Sequence, residues 1–489
     1  MADRLSRYRS KRDFARTPEP AGGRVQGAAE PSPERVAGRF VIQEHHARRL
    51  HWDLRLEHDG VLLSWAVPKG IPPDPKRNHL AVHTEDHPLE YLDFEGEIPE
   101  RSYGGGTMHI WDRGTYKCQK LHADEVIVTL EGERVRGRYA LFQTDGDNWM
   151  IHRMDPPQDP DREPMPEHLA PMLATATAKL PRDADAFAYE VKWDGVRAIA
   201  YIDGGSVRVE SRRGEAITAR YPELRGLGEA LGATPAVLDG EVVAFLDDRP
   251  SFERLQRRMH VASETTARRV AREVPVVYVA FDVLWLDGHS TTDLAYEERR
   301  LLLERLELNG PAWQTPGYYR DGPALLGATA DAGLEGVIAK RLDSTYTPGT
   351  RSRAWLKVKN QQAQEFVIGG WVPGQGAREG SIGALLIGYY DHAGEEPRLR
   401  YAGRVGTGFT AAELTRLGKL LEPLRRPSSP FDPPPPRLRD AVFTEPQLVA
   451  RVRFTEWTRA GVVRHPAYLG LRDDIAPGEV VREAIATDG

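Results

Sequence analysis

The segment Lys192-Trp193-Asp194-Gly195-Val196-Arg197 places one lysine after a predicted strand and before a tight turn. In the preceding run, residues 187–191 alternate in character, so Glu190 and Lys192 share one face of the strand. The amine of a lysine in this setting can act as a nucleophile once it has lost its proton. A surface strand that ends in a charged turn would contain the same residue types, so the downstream sequence must decide between the two interpretations.

Lysine is scarce, which makes each remaining lysine a candidate for chemistry. Of the 66 basic residues, 11 are lysine and 55 are arginine. Arginine keeps its proton in proteins, whereas lysine can lose it. A chain that uses arginine for ordinary surface charge therefore favours a chemical role for lysines such as Lys192.

Composition also excludes several classes of protein. The 489 residues suffice for roughly two to four domains, and the formal net charge of −6 excludes a protein that is basic over its whole surface. Cys118 is the only cysteine, which excludes intrachain disulfides and cysteine-rich zinc sites and favours the reducing cytoplasm. Neither a secretory signal nor an apolar run long enough for a membrane span is found, so no membrane association is expected.

Five further runs follow Lys192 in a fixed order. They are SRRG at 211–214, LDGE at 238–241, AFDVL at 280–284, EGVIAK at 335–340 and WLKVK at 355–359. Each run is weak evidence alone, but the ordered set resembles the covalent nucleotidyltransferases, which are the ATP-dependent DNA ligases, RNA ligases and capping enzymes. The resemblance implies that Lys192 attacks the α-phosphate of ATP, expels pyrophosphate and becomes lysyl-AMP.

The same resemblance implies roles for the other residues of these runs. Lys357 and Lys359 are expected to lower the pKa of Lys192 and to neutralise the α-phosphate. Glu241 and Glu335 are expected to hold Mg²⁺ or Mn²⁺. The remaining candidates for nucleotide binding are Phe281 as a platform for adenine, Glu190 as an acceptor for its amino group, Arg197 and Arg212 for the ribose and phosphates, and Lys340.

Near the end of the chain, FTEWTRAG at 454–461, RHP at 464–466 and GLRDD at 470–474 resemble the end of the OB-fold domain of bacterial ATP-dependent ligases. That family closes the segment as arginine, any residue, aspartate, lysine. Arg472 and Asp474 match, but Ile475 replaces the lysine. Because the lysine is thought to orient the pyrophosphate leaving group, we expect slow self-adenylation or the use of another cation.

Histidine is concentrated in the first third of the chain, where ten of the fifteen lie between His45 and His152. From His51 onward the residues alternate, so His51, Asp53 and Arg55 share one face of a predicted strand. With His45 from the preceding loop, two imidazoles and a carboxylate predict an open site for Mn²⁺ or Zn²⁺. An exposed, salt-bridged sheet face is the structural alternative.

Residues 5–153 resemble the 3′-phosphoesterase module of bacterial DNA ligase D. The runs that carry this resemblance are KRDF at 11–14, TPEP at 17–20, DHPLEY at 86–91, DFEG at 93–96, YGGGT at 103–107 and WDRG at 111–114. The resemblance implies that His45, His51 and Asp53 bind the metal, that Arg55, His87 and Tyr91 contact the phosphate, and that Arg12, Asp13, Glu19 and Glu85 support them. His79 stands where the family commonly has an arginine, which predicts a weaker or pH-dependent phosphate contact. The implied substrate is a 3′ end with a phosphate or ribonucleotide, and the product is the 3′-hydroxyl that a ligase needs.

The expected fold class is multidomain α+β. We expect an N-terminal β-barrel phosphoesterase at 1–155, a proline-rich linker at 156–171, an adenylation domain of antiparallel sheets with helices at 172–361, and a C-terminal OB-fold β-barrel at 362–489. A helix is predicted over 293–308. The glycines at 104–106 are expected to form a turn, because no helix follows them.

The resemblance implies a two-activity repair enzyme that acts on nicks and double-strand ends in non-homologous end joining. ATP with Mg²⁺ or Mn²⁺ is expected in the ligase module, and Mn²⁺ or another divalent metal in the phosphoesterase module. DNA is the expected substrate, a Ku-like end-binding protein and a separate polymerase are the implied partners, and the location is expected to be cytoplasmic and nucleoid-associated. A capping-type or RNA-ligating enzyme and a non-catalytic end-binding scaffold remain as alternatives.

Overall fold

The computed structural model describes residues 3–23, 37–99, 102–259, 261, 263–375, 379–393, 396–435 and 440–483. Its strands fall into an N-terminal barrel, a central pair of sheets and a C-terminal sheet, as the sequence predicts. Within these ranges, no helix has the length and apolar character that a membrane crossing requires.

The N-terminal domain is a closed barrel of eight strands. A short helix, α1 (Ser6–Ser10), precedes it. The strands are β1 (Ala37–His46), β2 (Leu50–His58), β3 (Val61–Val67), β4 (His79–His83), β5 (Gly96–Ile98), β6 (Gly106–Leu121), β7 (Glu125–Gly132), β8 (Arg136–Asp145) and β9 (Asn148–Arg153). The antiparallel order is 1-2-3-4-9-8-7-6, and a pairing of β1 with β6 closes the circle while β5 extends β6.

The alternation along β2 separates the core of the barrel from its candidate site. Trp52, Leu54 and Leu56 are buried in the apolar cluster that fills the barrel. The register pairs His45 of β1 with His51 of β2. The residues between these apolar positions therefore lie together on the opposite face of the sheet.

His83, at the end of β4, gives the barrel a testable dependence on pH. Its ring lies 5.3 Å from the ring of Trp65 and 5.7 Å from that of Trp149. Burial lowers the pKa of His83 below its ordinary value of 6.5. The unfolded chain therefore binds this proton more readily, so the contribution of His83 to stability is present above pH 6.5 and is lost as the pH falls below it.

As the pH is lowered from 6.5, we expect the free energy of unfolding to decrease less steeply in His83→Phe than in the wild type. The two slopes should differ by up to about 1.4 kcal/mol per pH unit. Urea unfolding followed by tryptophan fluorescence at pH 7.5 and 5.5 measures this difference. His122→Phe, at an exposed position, should follow the wild type. Equal losses in the wild type and His83→Phe would contradict the prediction.

The central domain contains two sheets. Its strands are β10 (Leu173–Thr177), β11 (Phe187–Val191), β12 (Val196–Asp203), β13 (Ser206–Ser211), β14 (Ala236–Leu246), β15 (Arg249–Pro250), β16 (Val276–Leu286), β17 (His289–Ser290), β18 (Asn309–Gly310), β19 (Trp313–Gln314), β20 (Gly336–Arg341) and β21 (Arg351–Lys359). One sheet has the order 10-21-20-11, and the other has the order 13-12-14-16-19-18 with β15 and β17 at its side. Most pairs are antiparallel as predicted, but β10 with β21 and β16 with β19 are parallel.

In the described part of this domain, five helices flank the sheets. They are α2 (Gly226–Leu231), α3 (Phe252–Met259), α4 (Glu264–Glu273), α5 (Tyr296–Arg305) and α6 (Gly322–Asp331). The predicted helix over 293–308 is wrong at both ends, since α5 has ten residues. The Glu298 carboxylate accepts the N–H of Ala295 at 2.9 Å and caps the helix there. Glu307 has a φ of 48°, which a helix cannot continue.

The C-terminal domain is an antiparallel sheet with one helix. Its elements are β22 (Ala363–Pro373), β23 (Ile382–Asp391), β24 (Arg398–Val405), α7 (Ala411–Leu421), β25 (Arg425–Arg426), β26 (Val442–Arg453) and β27 (Ala467–Arg472). The order 24-23-22-26-25, with β27 also on β26, forms a half-barrel. The OB-type domain is therefore present, but among the described residues no strand pairing closes it into the full barrel that the sequence predicts.

Two candidate active sites

A cavity of about 220 Å³ lies between the central domain and the C-terminal sheet. It brings together every residue that the sequence assigns to nucleotide chemistry. These residues are Glu190, Lys192, Arg197, Arg212, Glu241, Phe281, Glu335, Lys340, Lys357 and Lys359. They come from separate strands and turns, so the folding of the two sheets assembles the cavity.

Lys192 directly follows β11, and its Nζ donates a hydrogen bond to Oε2 of Glu335 at 2.6 Å. Glu335 precedes β20, which pairs with β11. Burial opposes ionisation of Glu335, but Arg451, Lys192 and Lys359 together hold the pKa of this carboxyl well below its usual range. The expected nucleophile is thus in direct contact with the Glu335 carboxylate, a pairing that the sequence analysis did not predict.

Arg451 of β26 joins the C-terminal sheet to this cluster. One Nη donates to Asp194, in the turn after Lys192, and the other lies 2.7 Å from Oε1 of Glu335. Its side chain is only 6% exposed. The sequence analysis missed Arg451, although its place between Ala450 and Val452, in the apolar second half of β26, was a signal for a buried charge.

Lys357 and Lys359 lie on one face of β21, as their spacing predicts. Both contact Glu483, at 2.5 Å and 3.0 Å respectively. Burial lowers the pKa of Lys357 despite Glu483. Burial also acts against the charge of Lys359, but Glu483 and Glu335 raise the pKa of that amine. Glu483 was missed because no local motif marks it.

The opposite part of the cavity is aromatic. The Nζ of Lys340 lies 4.6 Å from the ring centre of Phe281 and 4.4 Å from that of Trp355. The same Nζ is 3.0 Å from Oε1 of Glu190, which also accepts a hydrogen bond from Tyr296. Burial lowers the pKa of Lys340, although the negative charge of Glu190 acts in the opposite direction. This wall offers flat apolar surface together with a buried ion pair.

Arg197 and Arg212 are both bound by carboxylates. Arg197 forms two hydrogen bonds of 2.6 Å with Asp239 and lies 4.6 Å from the ring centre of Phe281. Arg212 reaches Glu479 of the C-terminal domain at 3.0 Å. Arg197 is therefore fixed beside the aromatic wall, whereas Arg212 also connects two domains.

Glu241 lines the same cavity from β14. Burial raises the pKa of Glu241 to about 7. Carboxylate oxygens are suitable ligands for Mg²⁺, so Glu241 and Glu335 fit a divalent metal by their chemistry. Glu335 already contacts two cations, which a bound metal would have to replace in part.

The second candidate site lies on the wall of the N-terminal barrel. One ligand atom each from His45, His51 and Asp53 falls within 4.8 Å of the others. The Nε2–H of His45 donates to the carbonyl of Gly104 at 2.9 Å, and the Nδ1–H of His51 donates to the carbonyl of Arg49 at 2.9 Å. The predicted glycine turn thus orients His45.

These two hydrogen bonds use Nε2 of His45 and Nδ1 of His51, so Nδ1 of His45 and Nε2 of His51 face the Asp53 carboxylate. The two atoms lie 3.6 Å and 3.7 Å from the Asp53 carboxylate. The Nδ1 of His45 is buried without a hydrogen-bond partner. Burial opposes ionisation of Asp53, but Arg55 and both imidazoles hold the pKa of its carboxyl well below the usual range. The donor set therefore fits a divalent metal.

Arg55 contacts the candidate metal ligand Asp53 and is 2% exposed. It donates to Asp53 at 2.9 Å, to Gln43 at 2.7 Å and to Ser64 at 3.0 Å. Its guanidinium is 4.8 Å from the ring centre of Tyr91. The contacts of Arg55 fix the Asp53 carboxylate.

His87 and Tyr91 are buried side by side, with ring centres 4.8 Å apart. The Nδ1–H of His87 donates to the Glu85 carbonyl at 2.8 Å, and its Nε2 lies 3.3 Å from an Nη of Arg12. Burial, with the nearby Arg55 and Arg12, lowers the pKa of His87 well below its usual range. His87 is therefore neutral at pH 7, and a phosphate contact would need a proton that its Nε2 lacks.

Among the predicted supporting residues, Arg12, Glu19 and Glu85 form one buried network. Arg12 contacts Glu19 at 2.6 Å and Glu85 at 2.8 Å, and Glu19 accepts the hydroxyl of Tyr91. Asp13 lies outside this network, where it accepts the N–H of Ala15 at 3.2 Å. His79 donates to the Gly70 carbonyl and lines a different cavity, between the barrel and the central domain.

Three family models match the chain. They describe a DNA ligase D 3′-phosphoesterase domain at residues 43–143, an ATP-dependent DNA ligase domain at 171–359, and an ATP-dependent DNA ligase C-terminal region at 378–475. Among the site residues described above, Arg12, Glu19, Glu479 and Glu483 lie outside the matched ranges.

Relatives that align with nearly the whole of this chain agree with these models. The chain is 47% identical over 99% of its length to the multifunctional non-homologous end joining DNA repair protein LigD of Mycobacterium tuberculosis, and 38% identical over 98% to LigD of Pseudomonas aeruginosa. It spans 62% of the length of each relative. A solved mycobacterial DNA ligase D complexed with ATP and MES is 41% identical, with 64% of this chain and 98% of that chain covered and a TM-score of 0.48.

Proposed function

The chain belongs to the bacterial DNA ligase D family, and on this basis we propose that it heals 3′ ends and then seals the break with ATP. The observation that carries the proposal is the convergence of Lys192, Lys357, Lys359 and Glu335 in one cavity that has an aromatic wall. ATP supplies the adenylate, and DNA with a 5′-phosphate and a 3′-hydroxyl receives it. The residues that act in each step are proposed from their contacts.

In the first step the neutral Nζ of Lys192 attacks the α-phosphorus of ATP. The amine must first lose the proton that binds it to Glu335. Lys357 and Lys359 are placed to stabilise negative charge as it builds on the phosphate. Both lysines are held by Glu483, so the phosphate would compete with this carboxylate for them.

At the other wall, Phe281 and Trp355 offer apolar surface to the adenine. The buried Glu190–Lys340 pair at this wall is placed to recognise the polar edge of the base. Glu241 and Glu335 are proposed to hold Mg²⁺ or Mn²⁺, which would neutralise phosphate charge when bound. Arg197 and Arg212 would contact the ribose and phosphates.

In the barrel, His45, His51 and Asp53 are proposed to hold Mn²⁺ or another divalent metal. Such a metal would polarise a phosphoryl oxygen and activate water. Arg55 fixes the carboxylate ligand and, with Tyr91 and a protonated His87, is proposed to contact the phosphate, while Arg12 supports His87. The product is a 3′-hydroxyl, which the ligase module uses as the nucleophile in its last step.

We further propose a Ku-like end-binding protein and a separate polymerase as partners, and association with the nucleoid. Family membership supports these proposals. Retention of purified full chain on Ku-coated beads loaded with DNA ends, compared with beads carrying DNA alone, tests the first of them.

A nicked duplex with a 3′-phosphate tests both modules at once. We expect ATP with Mn²⁺ to yield a sealed strand after a lag, with the 3′-hydroxyl nick as a transient intermediate on a denaturing gel. A 3′-hydroxyl nick should seal without the lag. Sealing of the 3′-hydroxyl nick alone would overturn the end-healing half, and transfer of GMP from GTP to the protein would favour a capping-type enzyme.

A further inference from the structure

Among the described residues, the C-terminal domain contributes two cations, Arg451 and Arg472, to the wall of the nucleotide cavity. Ile475 lines the same wall but carries no charge. Its side chain is 7% exposed and packs in an apolar cluster with Phe431 and Val480. The position that the family fills with lysine is therefore part of the hydrophobic packing here.

Arg472 is committed to a local partner. Its Nε and Nη2 form a paired contact with Asp474 at 2.8 Å and 2.7 Å. The guanidinium also lies 4.7 Å from the ring centre of Phe252 in the central domain. Arg472 and Asp474 match the arginine and the aspartate of the family pattern. Arg472 therefore does not replace the lysine of that pattern, and position 475 has no cation.

Arg451 and Lys192 bind the same carboxylate. Glu335 binds Lys192 through one carboxylate oxygen at 2.6 Å and Arg451 through the other at 2.7 Å. The guanidinium and the Lys192 amine are thus separated by the width of one carboxylate. A guanidinium has five N–H donors in a rigid fork, so it can keep Glu335 or Asp194 and still donate to a phosphate oxygen.

We propose that Arg451 stabilises the departing pyrophosphate during self-adenylation, in place of the side chain that Ile475 lacks. The proposal rests on the proposed ligase function. In this step the neutral Lys192 nitrogen forms a bond to the α-phosphorus and passes one proton to the Glu335 carboxylate that it contacts. The bond from the α-phosphorus to the bridging oxygen breaks, and its electron pair leaves with pyrophosphate, where Arg451 meets the charge.

Equilibrium binding separates this role from a structural one. In a Lys192→Ala background, which cannot react, adding Arg451→Ala should weaken binding of ATP about tenfold, because one charge-assisted contact to the β- or γ-phosphate is lost. Binding of AMP, which has no such phosphates, should stay unchanged. Equal weakening for both nucleotides would overturn the proposal and indicate a distorted cavity.

Single-turnover kinetics supplies the second test. Arg451→Ala should slow lysyl-AMP formation on the order of 10²-fold, while sealing of a nick that already carries 5′-adenylate should keep its rate. Arg453→Ala removes an exposed arginine from the same strand and serves as the matched control. Parallel losses in adenylation and in sealing of the adenylated nick would contradict the proposal.

Rescue makes the assignment specific. Ile475→Lys in the Arg451→Ala background should restore at least about a tenth of the lost adenylation rate, because it returns a cation to the pyrophosphate side of the cavity. If Ile475→Lys restores neither the adenylation rate nor ATP binding, the proposal that Arg451 acts in place of a lysine at position 475 is wrong. If the wild type forms no lysyl-AMP at all, the proposed ligase function fails, whereas normal adenylation in Arg451→Ala refutes only this inference.

Discussion

Lys192→Ala is expected to abolish both lysyl-AMP formation and nick sealing, with a loss on the order of 10⁴-fold or more. The change removes the amine that would form the bond to adenylate. Labelled ATP followed by gel electrophoresis of the protein measures the first step, and a 3′-hydroxyl nick measures the whole reaction. The mass of the peptide that contains residue 192 should rise by one adenylate in the wild type only.

Lys192→Arg makes this prediction more specific. Arginine keeps a positive charge beside Glu335, so the ion pair that holds the cluster together is retained. It cannot lose its proton in a protein, so it cannot act as the nucleophile. We expect Lys192→Arg to be as inactive as Lys192→Ala. Lys179→Ala, at an exposed lysine, should retain wild-type activity. Sealing by either Lys192 variant would contradict the assignment of Lys192 as the nucleophile.

His51→Ala is expected to reduce Mn²⁺-dependent release of a 3′-phosphate more than about 100-fold, since even a partner behind a metal ligand typically contributes 10- to 100-fold. Asp53→Asn should have a similar effect, because it removes the negative charge between the two imidazoles. Asparagine is preferable to alanine at this position, since its amide oxygen can still accept a hydrogen bond from the buried Arg55. Phosphate release from a 3′-phosphate primer–template measures the loss.

Sealing of a 3′-hydroxyl nick should be unchanged in both barrel variants, because the two sites are built from separate strands. His122→Ala, at an exposed histidine of the same barrel, is the matched control and should keep both activities. Direct binding of Mn²⁺, followed by isothermal calorimetry, should weaken in His51→Ala. Joint loss of end healing and sealing would mean that the modules do not act independently.

The sequence predicted much of the fold because the relevant patterns are local. Alternation along residues 51–56 separates the apolar face from the polar face of β2, and the barrel confirms this division. The glycine turn at 104–106 was predicted in the same way. The helix over 293–308 exists, but its predicted bounds were wrong, since its start is fixed by the Glu298 cap and its end by the backbone at Glu307.

Residue types and motif order by themselves determined the candidate chemistry. They predict Lys192 as the nucleophile and His45, His51 and Asp53 as metal ligands. A proton that can leave and lone pairs that can bind a metal are properties of the side chains. They can be recognised in a sequence before any contact is known.

Only the tertiary structure decided which charged groups face one another. Lys192 and Glu335 are 143 positions apart, Lys357 and Glu483 are 126 apart, and Asp194 and Arg451 are 257 apart. No sequence period links such pairs, because strand pairing and the approach of the C-terminal sheet to the central domain bring them together. The same packing buries Ile475 in an apolar cluster and brings Arg451 to the carboxylate that binds Lys192, which no local pattern could have predicted.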